Sequence, residues 1–203
     1  MQEPVTKERM LGLFEKNRQG IVLNDTGLIT GIRDRAIESF RNQGFPHAKL
    51  EEWRHTSLTE SFGKGYDYFF KPGQETDIQK VFRCNIPHLD TAIIGQLNGW
   101  YVSKDVPLLE LGNGIILGSL AAAFKRYPEI IEKHYSKYAE IGDNGFTALN
   151  TALAQDGIFI YVPDNVGSPK PIQMVNVIQA NENLFLHSRN LIVLGKNSRL
   201  SVV

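Results

Sequence analysis

The sequence predicts a protein of mixed α and β structure, in which a mainly helical domain precedes a strand-rich one. In the first 154 residues apolar side chains recur at helical spacing, and two Asn-Gly pairs lie between β-favouring residues. Beyond Gly157 there are only short apolar runs separated by Asn, Gly, Pro and Ser. We therefore divide the chain into residues 1–154 and residues 155–203.

Two helices are predicted near the N-terminus. The first covers residues 6–18, with Thr6 as its capping residue and with Val5 and Met10 in the positions of a hydrophobic staple. The second covers residues 32–43, where apolar residues share one face, and it ends at Gly44.

Three further helices are predicted in the middle of the chain. Ser119 suits the cap of one helix, and Pro128 suits the first turn of the next. Asp143 or Asn144 can cap a third, which runs to about Ala154.

Between these helical regions, two short β-hairpins are predicted. Asn98-Gly99 and Asn113-Gly114 each lie between apolar, β-favouring residues. Both central residues of a type I′ turn need positive φ, which Asn and Gly tolerate best. We therefore expect a turn of this type at each pair.

The strand-rich region carries a faint internal repeat. Residues 157–177 and 183–203 each contain an apolar strand, a polar turn and another strand. Such a repeat is compatible with stacked coils of a β-solenoid, although a β-sandwich fits the same pattern. The predicted strands are 158–162, 171–178, 184–187, 190–194 and 199–203.

The composition of the chain argues against some classes of function. The 22 basic residues balance the 22 acidic ones, which argues against a general electrostatic grip on nucleic acid or anionic lipid. The single cysteine, Cys84, fits a reducing compartment. We find neither the apolar core of a signal peptide nor a run long enough to span a bilayer, so we expect a cytoplasmic protein that contacts no membrane.

Motifs that resemble chemical sites are weak. The glycines of residues 112–118, "GNGIILG", are wrongly spaced for a dinucleotide loop and suit a hairpin turn better. There is no phosphate-binding loop of the P-loop type. Cys84 and His88 would supply only half of a metal site, and we interpret Cys84 as a half-buried structural cysteine.

The remaining candidates for site residues are four histidines and the first tryptophan. His47, His55, His134 and His187 are scattered, and none has a recognisable nucleophile or base beside it. Trp53 lies in a charge cluster and is interpreted as an anchor for the helical part, since a binding role would need an exposed indole. From the residues we predict no catalytic, cofactor-binding or metal-binding residue.

Three blocks of the sequence nevertheless resemble a known family. These are residues 44–58, "GFPHAKLEEWRHTSL", residues 149–177, "LNTALAQDGIFIYVPDNVGSPKPIQMVNV", and residues 187–203, "HSRNLIVLGKNSRLSVV". Together and in this order they resemble the SufB/SufD family. The Trp53-Arg54 block and the short helical N-terminal region are more similar to SufD than to SufB.

The resemblance implies a non-catalytic scaffold of the SUF iron–sulfur cluster assembly system. It implies a helical N-terminal domain with short hairpins, leading into an incomplete right-handed parallel β-helix. The implied partners are a SufB-like paralogue and a SufC-like ATPase, with an iron–sulfur cluster in the full complex. A β-solenoid or β-sandwich enzyme acting on a carbohydrate is the alternative, but residues 157–203 offer it only Asp164 and Glu182 as acids.

The resemblance also implies that the chain is the N-terminal half of a family member. The family's interface cysteine and histidine and its SufC-docking helices would lie beyond Val203, so no functional residue is carried over, and Cys84 does not match that cysteine. A β-solenoid cut after its first coils leaves an apolar cross-section uncovered, which predicts self-association. At Asp156-Gly157 we expect a junction into a strand that pairs in parallel with a later one.

Overall fold

The computed structural model describes residues 4–71, 90–103 and 106–203. Its regular elements within these ranges comprise six α-helices and seven strands. The helices are α1 (Lys7–Ile21), α2 (Gly27–Gln43), α3 (Thr59–Phe62), α4 (Leu120–Arg126), α5 (Pro128–His134) and α6 (Gly145–Leu153). The strands are β1 (Ala92–Leu97), β2 (Trp100–Val102), β3 (Leu108–Glu110), β4 (Ile116–Ser119), β5 (Ile158–Val162), β6 (Ile172–Val177) and β7 (Leu191–Leu194).

The predicted helix caps are confirmed where a side chain makes them. Thr6 accepts a hydrogen bond from the N–H of Arg9 at 3.1 Å, and the two staple residues beside it are buried. Ser119 caps α4, and Asn144, rather than Asp143, caps α6. Helix α2 begins at Gly27 instead of residue 32, because Ile29 extends its buried face by one turn.

Helices α1, α2 and α6 pack on one another around a core of apolar side chains. This core includes Met10, Phe14, Phe40 and Leu149. The guanidinium of Arg33 is also buried here, beside Asp25, and it donates to the carbonyl oxygens of Thr151, Ala152 and Ala154 at the end of α6. The contact satisfies carbonyls that the helix itself leaves unpaired.

The first hairpin, β1–β2, forms as predicted. Asn98 and Gly99 have φ values of 50° and 84°, as a type I′ turn requires. On its other edge β1 pairs in parallel with β6, from Ala92–Ile172 to Leu97–Val177. A three-stranded sheet in the order β2-β1-β6 results.

The second hairpin, β3–β4, also forms, but the predicted type I′ turn is wrong. Of its Asn-Gly pair only Gly114 has positive φ, 81°. The N–H of Gly114 donates to the carbonyl of Leu111 at 2.8 Å, so a longer loop with glycine in the left-handed position closes the hairpin. Strand β4 then pairs antiparallel with β5 in a second sheet of order β3-β4-β5-β7.

The strand-rich region pairs with itself in parallel. Phe159 pairs with Leu191 and Gly167 with Arg199, each 32 positions apart, whereas the two similar segments of the sequence begin 26 positions apart. Two predicted strands, 184–187 and 199–203, form only isolated bridges, such as Asp67–Leu184 and Ile172–Val202. Residues 199–203 bond to residues 166–174 at several positions, but the bridges at Arg199 and Val202 are not consecutive and so do not form a ladder.

The mixed α and β class is therefore confirmed. Neither sheet closes on itself within the described residues, so the β-helix stays a prediction, as does the division at residues 154 and 155. Strand β5 pairs in parallel with a later strand, as expected, and also with the earlier β4, which the sequence did not indicate. None of the helices in the described ranges is long and apolar enough to cross a membrane.

Candidate functional site

The Asp156-Gly157 junction is built around a buried carboxylate. Asp156 accepts hydrogen bonds from the hydroxyl of Ser119 at 2.9 Å and from the N–H groups of Ala121 and Tyr101, each at 3.1 Å. Burial raises the pKa of this carboxyl group, and the hydrogen bonds oppose that rise. Because both oxygens are engaged by groups that fix α4 and the first hairpin, the carboxylate has a structural role.

Gly157 and Asn190 complete the junction. A Cβ atom on Gly157 would overlap with the carbonyl oxygen of Arg189, so no larger residue fits. Asn190 accepts from the N–H of Ile158 at 2.8 Å and from the side-chain amide of Gln96 at 2.6 Å. The side chain of Asn190 thus links β5, the first strand of the strand-rich region, to β1.

A groove open to solvent lies on the helical region, at the first of the blocks that carry the family resemblance. We call it the Trp53 groove. Its volume is about 530 Å³. Its lining includes the apolar side chains of Phe45, Pro46, Leu50 and Trp53 and the acidic ones of Glu51, Glu52 and Asp143.

Aromatic packing fixes the apolar side of the Trp53 groove. The rings of Phe45 and Trp53 each lie 5.5 Å from that of Phe146, and Phe45 also contacts Phe62 at 4.5 Å between centroids. Trp53 is half-buried. The anchoring role predicted for it is confirmed, and its indole also lines an open surface.

Two glycines let the walls of the groove approach each other. Gly44 ends α2 in the left-handed conformation, with φ of 67°. Gly145 begins α6, and a Cβ atom there would overlap with the carbonyl oxygen of Gly44. The block "GFPHAKLEEW" therefore joins the end of α2 to the start of α6, and Trp53 packs over that contact.

The structure does not bring the candidate histidines together. His47 lines the Trp53 groove and is exposed, and the ring of His55 accepts a hydrogen bond from Arg54 at 2.9 Å. His134 contacts the hydroxyl of Tyr138 at 2.5 Å, and its pKa is lowered, first by burial and then by Lys133. His187 lies apart, against Phe185.

His187 differs from the other three because its Nε2 atom is buried without a hydrogen-bond partner. Burial lowers its pKa to about 4. It lines a small cavity together with Tyr68, Gln155 and Asp156.

The remaining candidates have no chemical site around them in the described residues. Cys84 and His88 lie outside the described ranges. Residues 112–118 form the β3–β4 turn and β4, as the hairpin interpretation predicted. Asp164 accepts from the N–H of Lys196 at 2.7 Å and so holds a loop. Within the described ranges no three metal-binding side chains come together.

Comparison with known proteins identifies the family. A family model described as the SufBD protein N-terminal region matches residues 5–174. The iron-sulfur cluster assembly SufBD family protein ycf24 of Trieres chinensis is 38% identical over 89 residues, which are 43% of this chain and 18% of that protein. ABCI9 of Arabidopsis thaliana, of the same family, is 35% identical over 86 residues, 42% of this chain and 18% of that protein.

A longer match extends over most of the chain. The iron-sulfur cluster assembly protein SufB of Bacillus subtilis is 26% identical over 186 residues, 84% of this chain and 38% of that protein. The chain thus spans less than two-fifths of the length of these curated relatives. Because the family model covers most of the chain, the protein belongs to the SufB/SufD family of iron–sulfur cluster assembly proteins.

Proposed function

We propose that the chain is a SufD-like scaffold component of a SUF iron–sulfur cluster assembly complex. It would act with a SufB-like paralogue and a SufC-like ATPase, and the cluster would belong to the assembled complex. The single observation that carries the role in cluster assembly is the match of the SufBD N-terminal model to residues 5–174. The relatives are named for iron–sulfur cluster assembly, which supports that role, and the Trp53-Arg54 block supports the SufD-like assignment.

The strand-rich region supports the β-helix that the proposal includes. Residues 159 and 191 pair in parallel, and so do residues 167 and 199, each 32 positions apart, and residues 172 and 202, which lie 30 positions apart. Asn165 and Asn197 are also 32 positions apart, share positive φ values of 61° and 55°, and are joined by a side-chain hydrogen bond of 3.2 Å. Repeated parallel pairing with equivalent corners is expected of coils that stack one on the next.

We further propose that the chain is not itself a catalyst. The buried carboxylate of Asp156 accepts hydrogen bonds from Ser119 and Ala121, which have structural roles. The carboxylate of Asp164, which a carbohydrate-cleaving enzyme would need, accepts a hydrogen bond from the backbone N–H of Lys196 and so holds a loop. Nothing in the described residues favours that alternative. From the single cysteine of this chain we propose a reducing compartment, the cytoplasm.

Co-purification tests the proposal. The protein that carries this sequence is tagged and produced together with the SufB-like and SufC-like proteins of its own organism. The tagged protein is then purified without oxygen. We expect a stable complex that contains both partners, shows visible iron–sulfur absorbance, and hydrolyses ATP only when the SufC-like protein is present. Production without the SufB-like protein is the control. If the tagged protein purifies alone, free of iron and sulfide, the scaffold proposal fails.

A further inference from the structure

We propose that the Trp53 groove is a docking site for a protein segment that carries one apolar side chain between lysines or arginines. The inference deepens the proposed function, on which it rests for the identity of the partner, since the segment would belong to another protein of the assembly machinery. It is carried by the shape, the exposed apolar surface and the charge of the groove.

The apolar side of the groove is already in place before anything binds. Phe45 and Trp53 are held by Phe146, and the contact between Gly44 and Gly145 fixes the backbone beneath them. A rigid aromatic surface loses little conformational entropy on binding, and a central tryptophan is the residue type that most often dominates binding energy. The groove is therefore suited to hold a side chain inserted from outside.

Leu50 shows that this surface is incompletely covered in the free chain. Its side chain is 46% exposed, although it lies beside the half-buried indole of Trp53. Burial of apolar area is the main favourable term in protein association. An aromatic or long aliphatic side chain laid between Leu50 and Trp53 would remove both from water.

The charge of the groove selects what flanks that side chain. Glu51 forms an ion pair with Arg54 at 2.9 Å, whereas Glu52 and Asp143 have no ion pair among the described residues. The lining described for the groove contains no lysine or arginine. Lys7 approaches Gly44 but directs its ammonium group to the carbonyl of Arg41, at 3.2 Å.

Asp143 accepts a hydrogen bond from the N–H of Glu140 at 2.9 Å but keeps its negative charge, as does Glu52. Carboxylates without a basic partner beside an apolar surface attract cations and repel phosphate groups. Nucleic acid and nucleotides are therefore disfavoured, because their affinity depends on neutralising phosphates with basic side chains. A segment with lysines or arginines around an apolar residue meets both features of the groove, and complementary charge also fixes its orientation.

Fluorescence of Trp53 provides the test. The chain contains two tryptophans, so a Trp100→Phe variant leaves Trp53 as the sole indole reporter. The probes are three amidated peptides: one phenylalanine between two pairs of lysines, the same peptide with glutamates for lysines, and the same peptide with alanine for phenylalanine. We expect a saturable change with the first peptide and none with the other two.

A charge reversal localises the binding. Glu52→Lys should lower the affinity for the lysine peptide about fivefold, since an attractive contact becomes repulsive. Glu132→Lys, an equally exposed position outside the groove, is the matched control and should leave affinity unchanged. The inference is overturned if the lysine peptide gives no saturable change, if the glutamate or alanine peptide binds as tightly, or if Glu132→Lys weakens binding as much.

The two proposals fail separately. Peptide binding needs only this chain, so its absence would remove the docking site and leave the scaffold proposal untouched. Absence of the SufB-like and SufC-like complex would remove the scaffold role and leave a peptide-binding groove whose partner lies elsewhere.

Discussion

The helical region and the strand-rich region of this protein are held together in different ways. In the helical region, capped helices pack side chain against side chain, and the buried guanidinium of Arg33 ties α2 to the end of α6. In the strand-rich region, parallel backbone pairs 30 to 32 residues apart set the register, and close backbone contacts such as that at Gly157 fix it. The first region is specified mainly by local sequence, the second by contacts distant in the chain.

The buried ion pair of the helical region should give the largest effect. Arg33→Met would leave Asp25 buried and unpaired, and would strip the carbonyls at the end of α6 of their donor. We expect a loss of about 3–5 kcal/mol in the free energy of unfolding, measured by urea denaturation. Arg35→Met, at an exposed position of the same helix, is the control and should change it by less than about 0.5 kcal/mol. Equal losses in both variants would show that the buried guanidinium of Arg33 does not join α2 to α6.

Glycine-to-alanine substitutions should change the stability of the protein in opposite directions in the two regions. Gly157→Ala places a methyl group against the carbonyl of Arg189, and we expect it to destabilise the protein by roughly 3 kcal/mol. Gly12→Ala, inside α1 with nothing near its Cβ position, should stabilise it by about 0.5–1 kcal/mol. Thermal unfolding of the two variants measures both. A Gly157→Ala protein as stable as the wild type would contradict the close backbone contact.

His187 should make the strand-rich region sensitive to acid. Its pKa is about 4 in the folded protein and 6.5 for an ordinary histidine, so below pH 6.5 the unfolded chain binds a proton that the folded one does not. The stability due to the neutral ring is present above pH 6.5 and is lost as the pH falls towards 4. The free energy of unfolding should fall by up to about 1.4 kcal/mol per pH unit in this window.

Two comparisons isolate this contribution. Asp156, in the same cavity lining, acts in the opposite direction, since its raised pKa makes its contribution disappear as the pH rises through the folded value. His187→Gln should remove only the histidine part of the slope, while His47→Gln, at an exposed position, should leave the slope unchanged. An unaltered slope in His187→Gln would show that the ring is accessible to protons.

These differences also explain how far the sequence could be interpreted. The caps at Thr6, Ser119 and Asn144 were predictable because each side chain bonds to a backbone group three residues away. The start of α2 was missed because Thr26 makes no side-chain cap bond there. The turn at Gly114 was assigned the wrong type because loop length, and not the Asn-Gly pair alone, selects it.

Contacts between residues far apart in the chain could not be predicted from the sequence. Nothing local indicated that β5 would pair with β4, or how far apart along the chain the residues paired between coils would lie. The Trp53 groove was missed for the same reason, since the exposure of the indole depends on Phe146, which lies in α6. The two glycines at positions 44 and 145 were the available signal, because a close approach of two backbones needs residues without a Cβ atom.

The smallest predicted effect tests whether the corners of the strand-rich region depend on conformation or on side-chain contact. Asn197 has φ of 55° and donates its amide to Asn165. Asn197→Ala loses both the hydrogen bond and a residue that tolerates positive φ, and should cost about 1 kcal/mol in unfolding free energy. Asn197→Gly loses only the hydrogen bond, and we expect its cost to be a few tenths of that. If glycine destabilises as much as alanine, the asparagine contact between stacked corners, and not the left-handed backbone, holds the two coils in register.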